Sequence, residues 1–169
     1  MKGTTVYIAQ KDETLREELC SMYESLEATV LGKTGSATVM LKECVENQPD
    51  LIITAVHLED GDGIETLLEI AKEASIPAIV IAKQEDLEDV EKAMQDHVMA
   101  YLIDPVDQRD LRSTSYLVKR RFEQFQELKT ENDQLKASLE ERKKMERAKG
   151  IVMKRYELTE EEAYLRIRK

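Results

Sequence analysis

Five short apolar segments alternate with amphipathic segments over the first 105 or so residues. Each apolar segment is rich in β-branched residues and almost uninterrupted, a pattern typical of strands buried on both faces of a parallel sheet. The predicted strands cover residues 4–9, 28–32, 50–56, 77–82 and 98–103.

The segments between the predicted strands repeat apolar residues at three- and four-residue spacings, as amphipathic helices do. The four stripes are Leu15, Leu19, Met22 and Leu26; Val39, Met40, Cys44 and Val45; Ile64, Leu67, Leu68 and Ala71; and Leu87, Val90, Ala93 and Met94. This alternation predicts an α/β domain over residues 1–112, built on a doubly wound, five-stranded parallel sheet. In such sheets the functional site lies beyond the carboxyl ends of the strands.

A long helix is predicted next, because residues 107–156 contain no proline and a single glycine. Over residues 113–141 its apolar residues follow a heptad repeat, which predicts a coiled-coil helix and a homodimer. The expected dimer seam consists of Val118, Phe125, Leu128, Asn132, Leu135 and Leu139. An Asn at one central position favours a parallel pair. The alternative is a solvated helix that packs on its own domain.

Charge is distributed unevenly along the chain. The net charge is −10, yet residues 141–169 carry 10 Lys or Arg against 6 Asp or Glu. The acidic remainder argues against nonspecific nucleic-acid binding by the first domain, whereas the basic tail permits it locally. Charged residues make up 36% of the chain, above the usual ~25%, and this excess favours a long exposed helix.

The basic tail presents one broad helical face. Lys143, Lys144, Arg147, Lys154 and Arg155 share that face, which suits contacts with phosphates. Lys149 lies nearer the apolar edge, where it either reaches RNA or packs its aliphatic stem. Gly150 costs the helix about 1 kcal/mol relative to alanine, so we expect it to permit the close approach of a helix or a backbone. A basic face that is merely solvated, or that pairs with the acidic domain, is the alternative.

No cofactor, metal or membrane segment is expected. Cys20 and Cys44 fall in predicted helices without metal-ligand spacing, so we interpret them as reduced packing residues. No apolar run approaches the ~18 residues of a membrane span, and the chain begins with a strand instead of a signal peptide. These features predict a cytoplasmic protein.

The first 105 residues resemble bacterial two-component receiver domains. PDLIITAVHLEDGDGIE at residues 49–65 is similar to the third strand and the start of the third helix, and YLIDPV at 101–106 to the last strand. The resemblance implies the flavodoxin- and CheY-like sheet. It also implies a phosphorylation site made of two Mg²⁺-binding acids, an acceptor Asp, a hydroxyl and a Lys. Those positions hold Gln10, Lys11, Ala55, Ala82 and Asp104.

All five replacements remove the required chemistry, so we expect a pseudo-receiver without a catalytic residue. Ala55 has no nucleophilic oxygen, Lys11 puts a cation where Mg²⁺ binds, and Asp104 repels phosphate. Asp12 and Asp60 are nearby acids that offer an alternative pair of metal ligands, without an accompanying nucleophile.

The last 28 residues, 142–169, resemble the ANTAR family of RNA-binding antitermination regulators. The shared elements are Arg142, Met145, the string AKGIVM at 148–153, EAY at 162–164 and Ile167-Arg168. The family has three helices, and this sequence holds the first and the beginning of the second, so we expect a partial domain in a truncated chain.

Together the resemblances imply a regulator of transcription antitermination, not an enzyme, which binds structured leader RNA as a dimer. Without phosphorylation, control would come from a partner protein or a ligand, as in the regulators of amidase operons. The alternative is a pseudo-receiver interaction module that does not bind RNA.

Overall fold

The computed structural model describes residues 1–86, 88 and 100–167. In these ranges the strands are β1 (Thr5–Ala9), β2 (Thr29–Thr34), β3 (Leu51–Ala55), β4 (Ala78–Ala82) and β5 (Ala100–Ile103). The helices are α1 (Glu13–Ser25), α2 (Ala37–Asn47), α3 (Gly63–Glu73), α4 (Gln108–Tyr156) and α5 (Glu160–Ile167). The predicted stripe of Leu87, Val90, Ala93 and Met94 lies outside the described residues, as does the start of the fifth predicted strand.

The five strands form one parallel sheet in the order β2-β1-β3-β4-β5. The prediction of a doubly wound sheet is therefore confirmed. The strand order reverses between β1 and β3, and at such a switch point a crevice opens beyond the carboxyl ends of the strands.

Two hydrophobic layers cover the sheet. On one face α2 and α3 supply Met40, Cys44, Leu67 and Ile70, among others, which pack against the side chains of Tyr7 and its neighbours. On the other face, α1 and the first turns of α4 cover the alternate strand residues. The central strands β3 and β4 are buried throughout, as a near-continuous apolar run predicts.

Strand β2 departs from that expectation. It lies at the edge of the sheet, and its side chains alternate between exposed and half-buried. Gly32 is required there because a Cβ would lie 2.6 Å from the ring of Tyr7. The apolar segment at 28–32 therefore predicted where the strand lies but not how exposed its side chains are.

The third helix begins as the Asp-Gly pair predicts. Asp62 is its N-cap, and its Oδ1 accepts hydrogen bonds from the backbone N–H groups of Ile64 and Glu65. Gly63 lies against the end of β3, where an added Cβ would stand 2.0 Å from the carbonyl oxygen of Ala55. Only a glycine allows the helix to start this close to the strand.

The first turns of α4 belong to the core of the first domain. Leu111, Ser115 and Val118 are buried, and the hydroxyl groups of Tyr23 and Ser115 are hydrogen-bonded at 2.8 Å. The compact unit consequently runs from Met1 to Glu123, beyond the predicted boundary at residue 112. The assignment of Val118 to the dimer seam was wrong, because its side chain is already covered by the apolar residues of α1 and the sheet.

The second compact unit comprises Gln124–Lys169. Its two helices meet at a turn where Glu157 adopts a positive φ of 53°. The predicted capping box is present, since Glu162 Oε2 accepts from the backbone N–H of Thr159 (2.9 Å) and Thr159 Oγ1 accepts from that of Glu162 (3.4 Å). In the described ranges, no helix combines the length and apolarity needed to cross a bilayer.

Replacing Val118 with alanine should destabilise the first domain. The change removes buried methyl groups from the core, so we expect it to lower the free energy of unfolding by about 2 kcal/mol. Native-state hydrogen exchange of the amides in β1 and β3 measures this loss. Glu127→Ala, at an exposed position of the same helix outside the seam, is the control and should leave those amides unchanged. Equal protection in the two variants would contradict the burial of Val118 in the core.

Candidate functional sites

A cavity of about 310 Å³ opens at the carboxyl ends of the strands. The five residues that the sequence comparison assigned to the receiver phosphorylation site all line it. They are Gln10, Lys11, Ala55, Ala82 and Asp104. The fold brings these five residues together, although they come from four separate strand ends.

The side chains in this cavity differ in charge and bonding from a phosphorylation site. Ala55 and Ala82 are buried and offer only methyl groups. Gln10 is also buried, and its amide oxygen accepts a hydrogen bond from the backbone N–H of Asp12 at 3.2 Å. The Arg16 guanidinium donates to the carbonyl oxygen of Gln10 at 2.6 Å. Gln10 is thus held in place by the start of α1.

A second polar arrangement in the cavity was not found from the sequence. His57 Nε2, in the loop after β3, lies 3.1 Å from Oδ1 of the nearly buried Asp86. The backbone N–H of Lys83 donates to the other carboxylate oxygen of Asp86 at 3.0 Å. These bonds join the loop after β3 to the turn after β4. The sequence held one indication of this contact, which is that both residues closely follow strands that are adjacent in the sheet.

Asp12 and Asp60 line different cavities, and each bonds to the start of a helix. Asp12 is the N-cap of α1 and accepts from the backbone N–H of Leu15 at 3.0 Å. Asp60 bonds to the start of α2, and hydrogen bonds from Thr38 and Ser36 lower its pKa to about 2. Within the described residues, no group of three His, Cys, Asp or Glu side chains is arranged to hold a metal ion.

The basic face of the tail is exposed in α4. Lys143, Lys144, Arg147, Lys154 and Arg155 all lie on the surface. Lys143 forms an exposed ion pair with Glu140 one turn earlier, at 2.9 Å. Surface pairs of this kind contribute little, so the ammonium group remains available to a stronger anion.

Lys149 has a different role from its basic neighbours. Its side chain is only 13% exposed, and its ammonium group lies 2.8 Å from Glu146 and 2.6 Å from Glu160. Hydrogen bonds to Glu146 and Glu160 raise the pKa of Lys149, and the same contact lowers the pKa of Glu160. Lys149 is therefore less exposed than its basic neighbours, and its ion pairs link the end of α4 to the start of α5.

Several apolar residues of the tail are shielded from solvent. Ala148, Val152 and Met153 are half-buried, and Ala163 of α5 is fully buried. The backbone N–H of Leu158 donates to the carbonyl oxygen of Met153 at 3.3 Å and closes the turn. Met145, by contrast, is 38% exposed.

The remaining seam residues of α4 are exposed. Phe125, Leu128, Leu135 and Leu139 have between 55% and 65% of their surface accessible, and Asn132 is exposed among them. They begin two residues after the first compact unit ends at Glu123. These four large apolar side chains recur at heptad spacing on one side of the helix.

Comparison with known proteins connects both halves of the chain to described families. Residues 6–115 match the response regulator receiver domain, and residues 133–169 match the ANTAR domain. The ANTAR match begins earlier than the predicted residue 142 and overlaps the heptads.

One relative resembles the chain over nearly its full length. It is the transcriptional regulatory protein PdtaR of Mycobacterium tuberculosis, 31% identical over 159 residues, which are 94% of this chain and 78% of the relative. The probable C4-dicarboxylate response regulator DctR of Bacillus subtilis is 29% identical over 108 residues, 63% of this chain and 46% of that protein.

Solved receiver structures share the fold. A response regulator receiver domain protein from Clostridium thermocellum superimposes with a TM-score of 0.67 at 23% identity, covering 72% of this chain and 98% of that one. The receiver domain of a modulated diguanylate cyclase from Desulfovibrio desulfuricans G20 gives 0.66 at 23% identity over 71% and 96%. The chain belongs to the response regulators and joins an amino-terminal receiver domain to a carboxyl-terminal ANTAR domain.

Proposed function

We propose that this protein regulates transcription antitermination by binding structured leader RNA in the cytoplasm as a dimer, under the control of a partner protein or a ligand instead of aspartyl phosphorylation. The observation that carries the proposal is the exposed basic face of α4 inside the segment that matches the ANTAR domain. The proposal assigns no catalytic activity to the chain.

RNA recognition is supported by the combination of charge and aromatic groups in the tail. Lys144, Arg147 and Lys154 offer cations to the phosphates, which dominate the affinity for nucleic acids. Tyr156 and Tyr164 are 48% and 43% exposed, and aromatic rings of this kind stack on the unpaired bases of RNA loops. Lys149 would act indirectly, by fixing α5 against α4.

Independence from phosphorylation is supported by the contents of the strand-end cavity. The acceptor position, Ala55, carries no oxygen, so an acyl phosphate cannot form there. Lys11 and Asp104 line the same cavity with charges opposite to those that Mg²⁺ and a phosphoryl group require. A signal would then have to reach the protein through another contact.

Dimerisation through α4 is supported by the exposed heptads and by the charges beside them. With Asn132 at the first heptad position, Lys129, Lys136 and Lys143 all fall at the same flanking position. An antiparallel pair would place these lysines against one another, whereas a parallel pair brings Glu131 of one helix to Lys136 of the other. The charges therefore favour the parallel orientation that Asn132 also favours.

Removing cations from the basic face should weaken RNA binding in a salt-dependent way. For the double variant Arg147→Gln and Lys154→Gln, we expect the slope of log affinity against log salt to fall by about 1 per lost contact. Fluorescence anisotropy with a structured leader hairpin measures it. Lys42→Gln, on α2, is the control and should bind as the unchanged protein does. A chain that binds no RNA but retains a protein partner after RNase treatment would support the interaction module instead.

Phosphoryl donors should leave the chain unmodified. We expect intact-mass analysis after incubation with acetyl phosphate and Mg²⁺ to show no phosphoryl adduct. Ala55→Asp should also remain unmodified, because Lys11 and Asp104 still oppose Mg²⁺ and phosphate. An adduct that hydroxylamine removes from the unchanged chain would contradict phosphorylation independence.

Replacing leucines of the dimer seam with alanine should convert the dimer into a monomer. Leu128→Ala combined with Leu135→Ala removes two apolar contacts per helix, and sedimentation equilibrium should then give the monomer mass. Glu127→Ala with Gln134→Ala, at positions outside the seam, is the matched control. Orientation is tested with Leu139→Cys, which in a parallel pair faces its own copy and should form a disulfide on oxidation. A monomeric unchanged chain would refute this part of the proposal.

A further inference from the structure

Gly150 occupies an unfavourable place in the chain. It lies inside α4, six residues before the helix ends at Tyr156. Glycine in a helix interior costs about 1 kcal/mol relative to alanine, because more backbone freedom is lost on ordering. The stability of its own helix therefore does not explain why a glycine stands at this position.

Contacts with the other described residues do not explain the glycine either. A Cβ built at Gly150 would meet no heavy atom within 4 Å. The contrast with Gly63 is clear, since a Cβ there would stand 2.0 Å from a backbone oxygen. Among the residues that the structure describes, no helix or backbone fills the space above Gly150.

The open space is surrounded by cations. At ~100° per residue, Lys143, Arg147, Gly150 and Lys154 fall within about 60° of the helix circumference, in one continuous stripe. The three cationic side chains are exposed. Glu146, at the edge of the stripe, is paired with Lys149 at 2.8 Å, and this pairing offsets its negative charge.

We infer that Gly150 is the point at which the sugar-phosphate backbone of the bound RNA lies directly against α4, with Arg147 and Lys154 holding the phosphates on either side. A glycine lets a ligand backbone approach a helix more closely than any side chain would. The charge of the surrounding stripe selects an anionic occupant over an apolar protein segment. This inference rests on the proposed RNA-binding function and assigns it a contact position.

The test separates helix stability from RNA affinity. Gly150→Ala should increase hydrogen-exchange protection over residues 143–156, because alanine is the better helix former. The same variant should weaken binding to the structured leader hairpin by tenfold or more. Gly150→Leu should weaken binding further, because its larger side chain fills the approach while the helix stays well formed.

A matched control keeps these two effects apart. Thr130→Ala also raises helix propensity in α4, at an exposed position on the opposite side of the helix, and should leave RNA affinity unchanged. Unchanged affinity in Gly150→Ala would overturn the inference. Lower protection in that variant would overturn it as well, since a protein segment would then occupy the space. Failure of the unchanged chain to bind any leader hairpin would instead refute the proposed function itself.

Discussion

The central strands of the sheet are apolar on both faces, so both faces must be shielded from water. This requirement determines where most other elements of the first domain lie. β1 and β3 pair through their backbones, and the side chains of β3 and β4 are buried without exception. Among the described helices, α2 and α3 cover one face, and α1 with the beginning of α4 covers the other. The helix that continues toward the ANTAR segment is therefore anchored in the receiver core by Leu111 and Val118.

Local signals in the sequence were sufficient for most of the fold. The β-branched runs located the strands, the Asp62-Gly63 pair located the start of α3, and Thr159 with Glu162 located the cap of α5. Each of these signals depends on residues that are neighbours along the chain. Where the deciding contact joins distant segments, the sequence was ambiguous or silent.

Val118 and Lys149 illustrate that ambiguity. A heptad position shows that Val118 is buried but cannot distinguish a partner helix from the domain's own core. The charge of Lys149 was visible, yet its ion pair with Glu160 depends on the turn between two helices. The His57–Asp86 contact is separated by 29 residues, and only the order of the strands brings the two side chains together.

The two halves of the chain retain different parts of a response regulator. The first half keeps the sheet and the strand-end cavity, although the groups in that cavity are now amide, methyl, ammonium and carboxylate. Gly63 and the buried strands fix the geometry of this edge, so core packing does not depend on which polar groups line the cavity. The second half carries an exposed basic face inside the segment that matches the ANTAR domain.

The ion pairs of Lys149 have a consequence for how the tail responds to its solution. The carboxylates of Glu146 and Glu160 remain largely exposed, so dissolved ions screen their attraction to the ammonium group. Added salt would thus loosen the joint between α4 and α5 while it competes for the phosphates of an RNA ligand. Part of the measured salt dependence would then come from the weakened contact between α4 and α5. The number of phosphate contacts calculated from the salt dependence alone would therefore be too high.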